Sequence, residues 1–441
     1  AQRSVTYKID GSVPRHRADA RRTGFERRWH RCDTAAVSTT PQILPTDVAD
    51  ADISVVGGPG DDGRWPIAVH WFLPTGGDSR DVAPSDPSGS RPPSHAYLAQ
   101  IATACDQLGF DAVLTPCGTG CEDAWIATAS LIPITQRLRF LVAFRPGFLN
   151  PTQAAQMAAT YQAMSGGRLL VNIVIGAEPT ELARFGDFVG KDERYRRSGE
   201  FLTVLRGALT SESFDFSGDF FTVESATTRH SPTAVPPIFF GGASPAAEQV
   251  AAEHVDTYLA WGEPPDMVTE RVERMRKLAD AADRPVDRPL EFGIRFHVIT
   301  RDTAEEAWAE AGRLLRGMDP DAVAAARADF ASTASVGQAR MADLHDATDG
   351  VPDDPRDLEI SPNLWAGVGL VRGGAGTVLV GSHSEIADRI EEYHAIGFRE
   401  FILSGYPHLE EAWRVGDGLL VELRRRHLIG PAPATGPDKV F

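Results

Sequence analysis

A closed (β/α)8 barrel with long βα insertions on its C-terminal face is the fold class this chain predicts, on three observations. Short apolar runs recur eight times from about residue 66, amphipathic helical stretches separate them, and two of those helices stop at a glycine that opens the next run. Parallel strands covered on both faces read as continuous apolar runs, and eight of them joined by helical crossovers close into a barrel.

The runs, in order, are Ile67–Leu73, Ala112–Thr115, Leu138–Phe144, Leu169–Ile175, Ile238–Phe240, Thr257–Trp261, Glu291–Ile299 and Phe401–Ser404. Between the first two, Leu98, Ile101, Ala102, Cys105 and Leu108 recur at three- and four-residue spacing and make one apolar helix face. Before the last run, Ile386, Ile390 and Tyr393 repeat that face behind Ser382-His383-Ser384-Glu385, a capping box. The helices end at Gly109-Phe110-Asp111 and Gly397-Phe398-Arg399, because glycine accepts the left-handed conformation of a helix C-terminus. Residues 176–236 and 300–400 exceed what one crossover helix needs. Such insertions lie at the C-terminal face, where long ordered loops act as lids, and the expected lid is 332–377.

A chain of 441 residues, 42% hydrophobic and 24% charged, has ample core for one large domain. Residues 65–430 are expected to form the barrel and 431–441 a tail. Residues 1–34 carry nine Lys/Arg against four Asp/Glu, a charge of +5 within a chain of -17, so the remainder is -22. Segment 1–64 reads as a poorly ordered N-terminal extension, with a partner-contacting basic arm as the alternative. It lacks the apolar core of a secretory signal, though its arginines faintly resemble a transit peptide. The overall charge argues against general affinity for nucleic acid or an anionic membrane, and no apolar stretch is long enough to span a bilayer. Cys32, Cys105, Cys117 and Cys121 are too few for a disulfide framework, which suggests reduced thiols and a cytoplasmic enzyme. No His stands at metal-ligand spacing from Cys117 and Cys121, so a zinc site is not expected.

On this barrel the unusual residues converge at one mouth. Strand one ends in His70-Trp71-Phe72-Leu73-Pro74-Thr75, and the loop after strand two carries Cys121-Glu122-Asp123. Gly241-Gly242-Ala243-Ser244 opens a helix, where free N–H groups and the helix dipole favour a phosphate; a purely steric role for the glycines is the alternative. Arg295 and Arg372 suit a permanently ionised oxyanion, or else form salt bridges with the surplus acids. His297, two residues beyond Arg295, is expected on the same strand face, as proton donor or anion ligand rather than as a core histidine. Tyr406 is a donor to an anion or a packing residue, and the thiol of Cys121 is placed to feel a helix N-terminus. Trp71, Trp261 and Trp365 read as core or as walls of a flat pocket. No nucleophile elbow is present.

These motifs closely resemble the flavin-dependent alkanesulfonate monooxygenases of the bacterial luciferase-like superfamily, over about residues 66 to 424. The resemblance rests on Trp71–Thr75, Cys121-Glu122-Asp123-Ala124-Trp125, Trp261-Gly262-Glu263-Pro264-Pro265, Gly293–Ile299, the long run Ile360–Thr377, and Ser404-Gly405-Tyr406-Pro407-His408-Leu409-Glu410-Glu411. It implies a TIM barrel that takes reduced FMN (FMNH2) from a separate NAD(P)H-dependent FMN reductase. With O2, such an enzyme converts an alkanesulfonate to aldehyde and sulfite. The resemblance places the sulfonate pocket at Trp261, Arg295, His297, Arg372 and Tyr406, with Cys121 near the flavin. By the same resemblance the flavin contacts include Leu73, Cys121, Gly176, Tyr195, Gly242, Ala243 and Ser244, and the assembly is a homodimer or homotetramer.

A sulfonate is charged at every physiological pH, so arginines rather than a titrating base should bind it. The oxidant made from flavin and O2 is wasted if water enters, so a closing lid, with Arg372 arriving on it, is expected. The chain departs from the family at Thr75-Gly76, where Thr-His is common, and at Asn172-Ile173-Val174-Ile175-Gly176-Ala177-Glu178, where hydroxyl side chains are lost. Rival readings are a luciferase-like enzyme acting on a sulfone or apolar substrate, a deazaflavin oxidoreductase, and a phosphate-ligand or reductase-docking protein without turnover.

Overall fold

A computed structural model describes residues 65–433 except 85, 177, 230, 233, 283, 332–334 and 345–350. The expected extension at 1–64, most of the tail, Cys32, Ala177 and part of the expected lid therefore lie outside the described residues.

Eight parallel strands close the barrel: β1 (Ala68–Phe72), β2 (Ala112–Thr115), β3 (Arg139–Phe144), β4 (Leu169–Ile173), β5 (Ile238–Gly241), β6 (Thr257–Trp261), β7 (Glu291–Arg295) and β8 (Phe398–Ile402). They neighbour one another in chain order, and β8 returns to β1 with Val69 opposite Phe401. Alternation sends Val69, Trp71 and Leu73 outward into the helix-covered core, while His70 and Phe72 face the barrel interior with Leu114, Leu170, Phe239 and Ile402. His70 is thus not at the mouth, as expected, but inside the barrel. There its Nε2 lies 2.5 Å from Glu400 of β8, both buried.

The local signals behave as their chemistry requires. Ser94 caps the helix His95–Leu108, which ends at Gly109 with φ 86°, the Gly109 N–H donating to Cys105. Ser382 and Glu385 form the capping box of His383–Ile396.

The seventh run is where the sequence reading needs correction. Glu291–Ile299 is not one strand: β7 stops at Arg295, and after Phe296 the chain starts a second strand, His297–Arg301, in a separate sheet. That sheet pairs His297–Arg301 with Val378–Ser382 in parallel, then Leu364–Trp365 and Glu359–Ser361 antiparallel. Its own core holds Ile299, Trp308, Leu315, Trp365, Val380 and Tyr406. The eighth run also begins earlier than expected, at Phe398.

The 300–400 insertion is therefore a packed sub-structure beside the barrel mouth. Its helix Val336–Asp343 docks through Gln338, whose Oε1 accepts from the Gly374 N–H at 2.7 Å. The 176–236 insertion holds the helices Pro179–Arg184 and Lys191–Thr210 and the hairpin Phe214–Ser217 with Thr222–Ala226. Among the described residues no helix is long and apolar enough to cross a membrane.

Candidate active site

Two cavities open at the C-terminal ends of the strands. The first, about 460 Å³, is lined by Asn172–Gly176 at and beyond the end of β4, Lys191, Arg194 and Tyr195 of the helix Lys191–Thr210, the Gly241–Ser244 turn, and Leu259, Trp261 and Arg295. The second, about 670 Å³, is lined by Phe72, Gly76, Asp78, Cys121, Arg372, Tyr406 and His408 among others. Arg295 lines the first and packs on Phe72, which lines the second, its guanidinium carbon 4.5 Å from the centre of the Phe72 ring. A larger cavity, about 770 Å³, lies at the other face among the strand starts Ala68, Arg139 and Glu291. Conservation of function at the C-terminal face of barrels makes that opposite end the wrong place for chemistry, so volume alone misleads here.

The first cavity has the parts a flavin phosphate needs. Ser244 caps the helix Pro245–His254, accepting from the Ala247 N–H, and Tyr258 donates to the Gly242 carbonyl at 2.7 Å, fixing the turn. A Cβ on Gly242 would lie 2.6 Å from that of Ala247, so only glycine lets the turn sit against the helix. Gly176 has φ 85°, and a Cβ there would meet Leu182 at 2.9 Å. The Arg194 Nε is buried without a hydrogen-bond partner among the described residues, while its Nη1 donates to the Val189 carbonyl. An orphaned cationic N–H, a helix N-terminus and a glycine cradle fit a phosphate, and Ile173, Ile175 and Leu259 supply apolar wall for a flat ring.

The second cavity is organised by charge. No carboxylate lies in ion-pair range of Arg295 or Arg372 among the described residues. Arg295 Nη2 donates to Ser404 Oγ at 3.3 Å, and its Nη1 is buried with no partner. Desolvation, then the neighbouring Arg372 charge, pulls the Arg295 pKa down to about 9. Arg372 donates to the Tyr406 hydroxyl and lies 5.8 Å from the Phe72 ring centre. Two cations held together in a partly closed pocket without a counter-charge favour an anion.

His297 does not share that pocket wall. The Ala375 carbonyl lies 3.0 Å from its Nε2, and Ser404 Oγ lies 2.8 Å from its Nδ1. A carbonyl only accepts, so Nε2 carries the proton and Nδ1 receives the Ser404 hydroxyl. Burial, with Arg372 and Arg295 adding to it, drives the His297 pKa well down, so the ring is neutral. Although the strand breaks at Phe296 between them, His297 and Arg295 both meet the Ser404 hydroxyl, and the His297 ring stacks on that of Tyr406 with centroids 5.4 Å apart.

Other expectations divide. Trp261, at the end of β6, lines the first cavity and packs against Gly337 of the insertion helix, where a Cβ would lie 2.9 Å from its ring. Trp71 and Trp365 are fully buried core rather than walls. Leu73 is likewise fully buried in the outer layer and lines neither cavity, because strand parity gives the inward position to Phe72. Tyr195 lies half-buried in the first cavity, within hydrogen-bonding reach of Ser244. The Cys121 thiol is pushed up by burial, with the nearby Thr75 hydroxyl and the Arg372 charge acting against it. Asp123, not Cys121, caps the helix Ala124–Ala129, so the expected helix-end activation is not what this thiol experiences.

Arg372 already stands in the site, and the described part of 332–377 is built of packed elements rather than one loop. Sequence reasoning placed Phe72 at the mouth within the strand-one motif but selected Leu73 instead, and it missed Asp78. Asp78 follows two glycines, the usual setting of a turn, and that context hides it. Among the described residues no group of three or more His, Cys, Asp or Glu side chains gathers as a metal site.

Comparison with known proteins agrees with the architecture. The luciferase-like monooxygenase family matches residues 67–400, and the chain belongs to that family. Similar solved structures include a riboflavin lyase (RcaE) crystallised with modified FMN and riboflavin, at TM-score 0.68 and 20% identity over 84% of this chain and 94% of that one. DmoA from Hyphomicrobium sulfonivorans matches at TM-score 0.67 and 19% identity, covering 85% of this chain and 91% of the other. A long-chain alkane monooxygenase (LadA) matches at 0.65 and 18%, covering 82% and 92%.

Proposed function

We propose that this luciferase-like enzyme is a two-component monooxygenase that uses FMNH2 and O2 to desulfonate alkanesulfonates, giving aldehyde and sulfite. The observation that carries this reading is the neighbouring Arg295 and Arg372, the first desolvated and neither with a carboxylate among the described residues, one on each of the two cavities. An alkane-like substrate, such as the one named for the long-chain alkane monooxygenase, would leave both cations uncompensated. A sulfonate offers three oxygens of permanent negative charge and repays that cost.

In this reading FMN is held by Arg194, Tyr195, Gly242, Ala243 and Ser244 at its phosphate end and by Gly176, Ile175 and Leu259 along its ring, consistent with the modified FMN named for the riboflavin lyase. The bound flavin supplies oxygen activation, and its reduction by a separate NAD(P)H-dependent reductase is part of the proposal. Cys121 lies on the rim of the second cavity, beside the ring. Trp261, anchored to the insertion helix, bounds the space between the flavin and Arg295. Arg295 and Arg372 orient the sulfonate, with Tyr406 completing the cup. Residues 332–377 are proposed to exclude water over this pocket.

The test is sulfite release from a C1 to C10 alkanesulfonate series with enzymatically supplied FMNH2 and O2. Sulfite from at least one member, absent without substrate, supports the reading. No sulfite from any member, with flavin binding intact, removes it.

A further inference from the structure

One polar network in the second cavity has a shape that anion binding alone does not use. Asp78, in the loop after β1, is buried and meets His408 twice: its Oδ1 accepts from Nδ1 at 2.7 Å and its Oδ2 from the His408 backbone N–H at 2.8 Å. Tyr97 donates its hydroxyl to the same Oδ2, and Arg91 Nη1 donates to the Tyr97 oxygen at 3.2 Å and to Glu410 at 2.7 Å. Trp71 Nε1–H donates to the His408 carbonyl at 3.1 Å. His408 is thus fixed by backbone and ring together. Its Nε2 is buried without a partner among the described residues, and the ring packs 5.3 Å from that of Tyr406 and 5.5 Å from that of Phe72.

The tautomer follows from the chemistry. Asp78 is held below the usual carboxylate range: burial opposes this, but His408 and Tyr97 outweigh it, so the carboxylate only accepts. Nδ1 therefore carries the proton. Burial, with Arg372 and Arg295 adding to it against Asp78, lowers the ring's own pKa, which leaves Nε2 an unpartnered acceptor, among the described residues, on a histidine that lines the second cavity with Arg372.

We infer that His408 is the proton acceptor for carbon–sulfur cleavage and that Asp78 is its positioning residue, an assignment that rests on the sulfonate reading above. Oxygenation at the carbon bearing the sulfonate yields an α-hydroxysulfonate. Nε2 takes its hydroxyl proton, the O–H electron pair becomes the carbonyl π bond, and the carbon–sulfur pair leaves with sulfite. R–CH(OH)–SO3⁻ plus imidazole becomes R–CHO, SO3²⁻ and imidazolium. Asp78 stabilises the new cation, and Arg295 and Arg372 receive the second negative charge on sulfite.

The design contains a gate. The charged and titratable groups acting on His408 are Asp78 with Tyr97 behind it, Arg295 from β7, His297 from the side sheet, Arg372 from the insertion, and Tyr406. A bound sulfonate offsets the two arginines, so it raises the affinity of His408 for a proton only when substrate is present.

Hydroxymethanesulfonate is the probe, used on the whole protein without flavin, with sulfite trapped by a disulfide dye. The wild type should accelerate sulfite release, Asp78→Asn should lose about 10²-fold or more, and Asp78→Glu should recover part of it. Imidazole ¹⁵N spectra of the wild type should show His408 as the Nδ1–H tautomer at pH 7, with its pKa rising on addition of ethanesulfonate. Calorimetry with ethanesulfonate separates the two readings. No binding by the wild type defeats the sulfonate function itself. Binding without acceleration, full activity in Asp78→Asn, an Nε2–H tautomer, or a pKa unmoved by ethanesulfonate overturns the His408 assignment alone. Should Asp78→Asn not fold, the wild-type spectra decide.

Discussion

Arg271, in the helix Pro265–Ala281 that follows β6, and Arg295, at the end of β7, both line the first cavity, yet they are handled in opposite ways. Arg271 Nη2 reaches both oxygens of Glu263 at 2.7 Å in a pair almost wholly removed from water, with Arg340 of the insertion helix 3.4 Å from the same carboxylate. Arg295, enclosed at Nη1, has a serine hydroxyl and an aromatic face but, among the described residues, no carboxylate. A buried pair satisfied inside the protein serves the fold. A buried cation left without one is costly to the fold and is retained where a ligand supplies the missing charge.

The largest expected effect tests the paired side. Arg271→Met strands Glu263 and should cost about 3–5 kcal/mol, nearer the lower figure because Arg340 remains. Urea unfolding measures it; a loss below about 1 kcal/mol would erase the contrast. Arg295→Met should do the reverse. Ethanesulfonate affinity falls roughly 10- to 150-fold, the loss of a charge-assisted hydrogen bond of about 1.5–3 kcal/mol, while the melting temperature holds or rises. A drop in melting temperature comparable to that of Arg271→Met would show that Arg295 is structural.

A pH series sharpens the same point. With its pKa down at about 9, Arg295 loses its proton as pH rises through that value, and sulfonate affinity should decline there. The sign for stability is opposite. Between about 9 and the unfolded value of 12.5 the unfolded chain binds more protons, so this group's contribution rises with pH. Calorimetric affinity flat from pH 7 to 11 would contradict the assignment. The smallest effect is that of Tyr406→Phe, which removes one neutral acceptor from Arg372 and should weaken sulfonate binding by about 2- to 10-fold, from about 0.5–1.5 kcal/mol. A larger loss would move Tyr406 from supporting Arg372 to binding the anion directly.

Much of the barrel was legible because its determinants are local. Ser382 and Glu385 cap one helix, Gly109 ends another, and the eight runs are long and apolar enough to declare strands. The break at Phe296 was not legible, since Arg295 to Val298 reads as continuous strand until Val378 pairs with His297 and draws it into a second sheet. Nor was the choice of Phe72 over Leu73. Period-two alternation fixes that they face opposite sides, but only barrel closure decides which side is inside.

The sequence by itself determined the eight-stranded architecture, its insertions and the supply of arginines at strand ends, because periodicity, caps and glycine stops act over a few residues. Tertiary structure alone decided which arginines keep a carboxylate, and which carboxylate holds which histidine. Asp78 and His408 meet across 330 positions of chain. With 61 acidic side chains available, no local rule selects the partner; only packing distance does, because charge interactions in a closed pocket depend on a few ångströms of separation.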